Sequence, residues 1–80
     1  MTILPEGIDL NTVVEYGKYS ILNGINSPVS HWINVLVLPI ANDKKFVHQI
    51  VLQLGTTNIY IRYCQGSNFS DWHKINTEVI

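Results

Sequence analysis
The stretch that most constrains this chain runs from Phe46 to Cys64: FVHQIVLQL, then GTTN, then IYIRYC. Phe46, His48, Ile50, Leu52 and Leu54 alternate with Val47, Gln49, Val51 and Gln53, and a period of two is the mark of an extended strand, whose successive side chains point to opposite faces. The second segment sets Ile59, Ile61 and Tyr63 against Tyr60, Arg62 and Cys64 in the same way. Two such runs joined by a short Gly-containing turn predict an antiparallel hairpin. The rest of the chain has to pack against it.

Around that hairpin the sequence offers short extended runs separated by turn chemistry. Met1 to Gly7 reads as an extended lead-in with Pro5. Asp9 opens the run DLNTVVEYG and can cap a turn through its carboxylate; Thr12 and Glu15 have capping-box spacing, but Val13, Val14 and Gly17 forbid a long helix. One or two helical turns are expected around residues 10–15, with Leu10 and Val13 or Val14 turned inward. Lys18 to Leu22 predicts a first strand, with Tyr19 and Ile21 sharing a face. Asn23 to Ser30 is a loop rich in Asn, Gly, Ser and Pro. His31 to Ile40 predicts a second strand, Ile33, Val35 and Val37 on one face and Trp32, Asn34, Leu36 and Leu38 on the other. Both faces are largely apolar, which fits a central strand or one covered on each side. Pro39 has no N–H to give a ladder, so it belongs at the strand's end or on an edge. Ala41 to Lys45 reads as a polar turn, Gln65 to Asn68 as another, and Phe69 to Ile75 as a last short strand.

The expected fold is therefore mainly β: a small antiparallel sheet or meander of about five strands with one short N-terminal helical turn. Residues 1–80 form a single domain, with a core at 9–75, a lead-in at 1–8 and an exit at 76–80. Eighty residues leave little room for anything more.

Composition narrows the function classes. Hydrophobic residues make up 46 % of the chain and charged ones only 14 %, a low share that points to apolar surface meeting another chain or a neighbouring domain. The net charge is −1 with scattered cations, which argues against a nucleic-acid partner. No apolar run reaches spanning length and the start lacks a signal-peptide pattern, so no membrane insertion is expected and the chain reads as soluble. Cys64 is the sole cysteine, so it forms no intrachain disulfide and reads as a small buried hydrophobe. His31, His48 and His73 are far apart, without the spacing of a metal site. Asp9, Glu15, Asp43 and Asp71 fall in caps and turns, and no serine sits in a nucleophile-elbow pattern. No catalytic residue, metal or cofactor is expected.

The aromatic residues carry the remaining interest. A pyranose stacks its C–H face on an aromatic ring while amides and Arg take its hydroxyls. Trp32, Tyr60 and Trp72, with Asn34 and Arg62, are the candidate binding residues on that chemistry, and Gln49 and Gln53 add polar complement. The same rings also suit a small core or an interface. Arg62 lies midway along a strand, where an unpaired burial would be costly. It is expected to tie Gln49 or a turn carbonyl, or to stack on Trp72.

Taken in order, these signals resemble the small knob domain of tail fibres in bacteriophages and in R-type pyocins, their contractile bacteriocin relatives. The pieces are Asp9–Leu10–Asn11, Gly17–Lys18–Tyr19, Asn26–Ser27–Pro28, the strand Ile33 to Leu38, Gln49, Tyr60–Ile61–Arg62 and the close Phe69 to Ile75. Where that family ends on two tryptophans three apart, this chain has Phe69 and then Trp72. The resemblance implies a non-enzymatic module of a virion or bacteriocin fibre, a homotrimer set among neighbouring fibre domains. It also implies a role in host-surface attachment outside the cell, with a bacterial surface glycan as partner. Two alternatives stay open: a spacer or trimerisation knob without receptor contact, and a carbohydrate-binding module of a cell-wall hydrolase.

Overall fold
Seven strands make one sheet, ordered β1-β2-β3-β4-β5-β6, with β7 also paired to β5. They are β1 (Thr2–Ile3), β2 (Gly17–Leu22), β3 (Trp32–Ile40), β4 (Asp43–Gln53), β5 (Ile59–Gln65), β6 (Asn68–Phe69) and β7 (His73–Ile75). The computed structural model describes residues 1–40 and 43–80, and of Ile40, Asp43 and Lys44 only the backbone. The mainly β, antiparallel character read from the pattern holds, and β3 and β4 lie at the centre.

Several details differ from the sequence reading. The lead-in is not free: Thr2 and Ile3 pair in parallel with Tyr19 and Ser20. A strand of this length leaves no alternation to read. The last strand is two strands, because Ser70 turns back on Tyr63. Its N–H donates to the Tyr63 carbonyl (2.8 Å) and its hydroxyl accepts the Tyr63 N–H (3.0 Å). Trp72 thereby leaves the ladder. The expected turn at Ala41 to Lys45 lies partly outside the described residues, and β4 already begins at Asp43.

The helical turn is shorter than expected, a 3₁₀ turn at Leu10–Thr12. Its cap is Asp9 rather than a Thr12–Glu15 box: the Asp9 carboxylate accepts the Asn11 N–H at 2.9 Å. β-branched Val13 and Val14 end it. Leu10 and Val13 both turn inward and are buried.

Strand register sorts every side chain onto one of two faces. Tyr19, Val35, Val51 and Tyr60 form one row across the sheet, Gly17, Val37, Gln49 and Arg62 the next, and Val47, Cys64 and Phe69 a third. This face is covered by the N-terminal segment. Leu10, Val13, Ile21, Ile33, Val35, Val37, Val47, Val51 and Cys64 form the core, with Leu4, Ile8, Val14, Val29 and Trp72 packed around it. Gly24 marks the tightest point, since a methyl there would run into Leu10 Cδ1.

Among the described residues no layer covers the opposite face. Its rows are Leu22–Trp32, then Ser20–Asn34–Leu52–Ile59–Ile75, then Lys18–Leu36–Ile50–Ile61–His73, then Leu38–His48–Tyr63. Leu36, Ile50 and Ile61 are only half-buried although they sit mid-sheet.

Candidate functional site
The polar residues of the covered face close into one circuit around Arg62. Its Nε donates to Gln49 Oε1 at 2.8 Å and an Nη to Asn11 Oδ1 at 2.9 Å. The Gln49 amide nitrogen donates in turn to the carbonyls of Leu10 (2.7 Å) and Val13 (2.8 Å), so both its N–H donors and its carbonyl oxygen are engaged. Beside this fork lie two aromatic rings, Phe69 at 4.2 Å and Trp72 at 4.5 Å from the guanidinium carbon. Both distances suit cation–π attraction in a desolvated setting. The indole N–H of Trp72 donates to the Asn26 carbonyl (2.8 Å), and the Asn26 amide donates to Asp9 (2.9 Å). Asp9 caps the turn that carries Asn11, which returns the path to Arg62.

Burial pulls the Arg62 guanidinium down to about 10, opposed by the Asp9 carboxylate. That still leaves it protonated at neutral pH. Asp9 is held below its ordinary value first by the Asn26 amide and then by the Asn11 N–H. Burial pushes the Cys64 thiol up, and its sulfur donates to the Gly66 carbonyl at 3.1 Å. Among the described residues, every buried side-chain nitrogen and oxygen has a hydrogen-bond partner. A network of this kind rigidifies a core.

Local chemistry explains the spacing of these pieces. Asn26 sits at φ +58°, a left-handed conformation that Asn tolerates and that aims its carbonyl at Trp72. Gly17 has φ +156°, and a Cβ there would meet the Tyr19 phenol at 3.0 Å. The Tyr19 hydroxyl passes this glycine to donate to the Glu15 carbonyl at 2.9 Å. The Gly-x-Tyr spacing is a packing requirement.

The five candidate binding residues are divided by the sheet. Tyr60, Arg62 and Trp72 lie on the covered face: Tyr60 donates to Gln53 Oε1 at 3.4 Å, and the other two belong to the circuit. Trp32 and Asn34 lie on the open face, in neighbouring rows. Asn34 Oδ1 accepts the Ser20 hydroxyl at 2.7 Å, and the Trp32 ring is 38 % exposed. Arg62 has the Gln49 tie and the Trp72 stacking expected of it. The roles of Asn11 and Asn26 were missed, although both sit in segments that carried the resemblance, whereas Asp9 caps the turn as its carboxylate suggested.

Two further features bear on function. Hollows of about 160 Å³ (Leu4, Ile8, Val13, Val14, Tyr19) and about 200 Å³ (Tyr16, Gly17, Lys18, Leu36, Leu38) lie along β2. Both fall below the roughly 300 Å³ at which small-molecule pockets begin. Among the described residues no group of three His, Cys, Asp or Glu side chains is placed to hold a metal ion. The open sheet face is the larger candidate. Besides Trp32 it exposes Ile3, Leu38, Phe46, Leu52, Tyr63 and Ile75. Its row on β4 was seen in the sequence, but not that this row would be the one facing out.

Comparison of the chain with protein-family models, with curated proteins and with solved structures finds no match.

Proposed function
We propose that this chain is a non-enzymatic module of a phage or phage-like tail fibre. In this reading it works outside the cell as part of the virion and contributes to attachment to a bacterial surface glycan. The observation that carries the proposal is the closure of the Arg62 circuit. Asp9, Leu10, Asn11, Asn26, Gln49, Arg62, Phe69 and Trp72 were singled out as scattered pieces of a resemblance, and they meet in one connected arrangement. A pattern spread over most of a chain is expected to converge in space when it encodes a fold. The apolar open face, with Lys18 its only formally charged side chain among the described residues, supports the companion part of the proposal, a homotrimer among neighbouring fibre domains.

Within this reading Trp32 is the residue to test. Its ring lies at the end of the open face, with the Asn34 side chain on the same side of the strand, the pairing of ring and amide that a sugar needs. Retention of the chain on purified bacterial envelope polysaccharide is the expected result. Trp32→Ala should weaken it by up to about tenfold, the worth of one aromatic contact. No retention, together with full activity of a fibre carrying Trp32→Ala, would leave the spacer or trimerisation reading. That second reading has its own support, since Tyr60, Arg62 and Trp72 are engaged in holding the fold.

A further inference from the structure
We infer that the open face of the sheet is a self-association surface, covered by the same face of a second copy of this chain. The inference deepens the fibre reading, in which copies of one chain lie side by side, and rests on it for its biological setting. Its first support is an inversion on β4. The row turned to the core contains Val47, Gln49, Val51 and Gln53, whereas the row turned outward contains Phe46, His48, Ile50 and Leu52. A solvated face of an antiparallel sheet ordinarily reads polar. Here the outward row is the more apolar of the two.

Area gives the second support. Leaving out Trp32 at the end of the face, Leu38, Phe46, Leu52, Tyr63 and Ile75 are each between 37 and 51 % exposed. At ~80 Å² apiece they offer about 400 Å² per copy, so two apposed faces bury about 800 Å² and approach the roughly 1,000 Å² that a specific interface needs. Half-buried Leu36, Ile50 and Ile61 between them add to this.

Charge selects the occupant. Among the described residues Lys18, at the end of its row, is the only formally charged side chain on this face. A partner recognised by charge, or a glycan recognised by its hydroxyls, finds nothing to meet at the centre, where Leu36, Ile50 and Ile61 lie side by side. A second copy presents the same neutral, apolar surface, and a net charge of −1 gives little repulsion between copies. The polar pair on the face, Ser20 and Asn34, is already hydrogen-bonded to itself at 2.7 Å, so the Ser20 hydroxyl and Asn34 Oδ1 keep a partner when the face is covered. Edge-to-edge pairing is the weaker route, since β1, β6 and β7 are only two, two and three residues long.

Analytical ultracentrifugation of the intact chain over a range of concentrations tests this. The expected result is reversible association to dimers or trimers, either of which apposes the face. Ile50→Glu and Ile50→Lys should each weaken association about 30-fold or more, the loss typical of a central contact, without changing the far-UV spectrum. An equimolar mixture of the two should associate again. Tyr63→Glu, at a more exposed position, serves as a second variant if either Ile50 change unfolds the chain. A wild-type chain that stays monomeric throughout, or folded charge variants that associate as the wild type does, would overturn the inference. A monomer that is still retained on envelope polysaccharide overturns this inference and leaves the attachment reading standing. An oligomer that is not retained does the reverse.

Discussion

The two faces of this sheet are built from the same strands and solve opposite problems. The covered face buries small β-branched residues together with Gln49 and Arg62, and among the described residues every buried side-chain nitrogen and oxygen there has a partner, with Asn11, Leu10 and Val13 of the N-terminal segment supplying several. The open face carries larger apolar side chains and leaves them half-buried. On β4 and β5 hydropathy by itself would have assigned the faces the other way round. What decides burial is which face the flanking segments can reach with matching hydrogen bonds, because an unpartnered buried amide or guanidinium costs more than an exposed leucine.

That contrast can be broken most forcefully at Arg62. Arg62→Ala leaves Gln49 Oε1 and Asn11 Oδ1 without their donor and removes the cation beside Phe69 and Trp72. The loss should approach the roughly 3–5 kcal/mol seen when a buried charged network is opened. For a domain this small that is much of its total stability, and urea denaturation followed by tryptophan fluorescence should show it unfolded or nearly so. A matched pair on β4 tests the faces directly. Val51→Asn buries an unsatisfied amide and should cost roughly 2–4 kcal/mol, whereas Ile50→Asn, one residue away on the open face, should cost no more than about 1 kcal/mol. Equal shifts in urea midpoint would mean that the open face contributes as much to folding as the covered one.

Smaller changes sharpen the picture of the covered face. Gly24→Ala places a methyl against Leu10 and Ile21, and overpacking of this kind should cost about 1–3 kcal/mol in the same assay. Trp72→Phe keeps a ring beside Arg62 but removes the N–H donated to Asn26, for an expected loss of about 1 kcal/mol. The smallest effect belongs to Asp9. Its folded pKa lies below the ordinary 3.8, so its contribution is fully present above that value and is lost as pH falls through the lower folded one. Asp9→Asn should therefore flatten the fall in urea midpoint as the pH drops below 3.8, and an unchanged slope would show that the cap does not titrate with folding.

Much of this was legible beforehand for a physical reason. Alternation with a period of two survives in any one-sided or two-sided strand, so β2, β3, β4 and β5 could be read from their side chains. Arg62 in mid-strand demanded a partner, and Gln49 lies directly across from it in the ladder. Strands of two or three residues contain too little pattern to read, which is why β1 went unseen and the closing segment was read as one strand. Trp32 and Trp72 looked alike as candidate binding rings on strands or at their ends, yet one ended in the open and the other in the circuit. Their chemistry is the same; only the path of the chain around them differs.

The sequence alone determined that the chain is mainly β, where its long hairpin lies, and that Arg62 needs company, because periodicity and the cost of burying charge act locally and at short range. Only the tertiary structure decided which row of that hairpin faces the core. A strand with two apolar faces is satisfied by either choice, and here long-range hydrogen bonds from Gln49 to Leu10 and Val13, and from Arg62 to Asn11, drew the layer onto one side. The other side was left apolar and open.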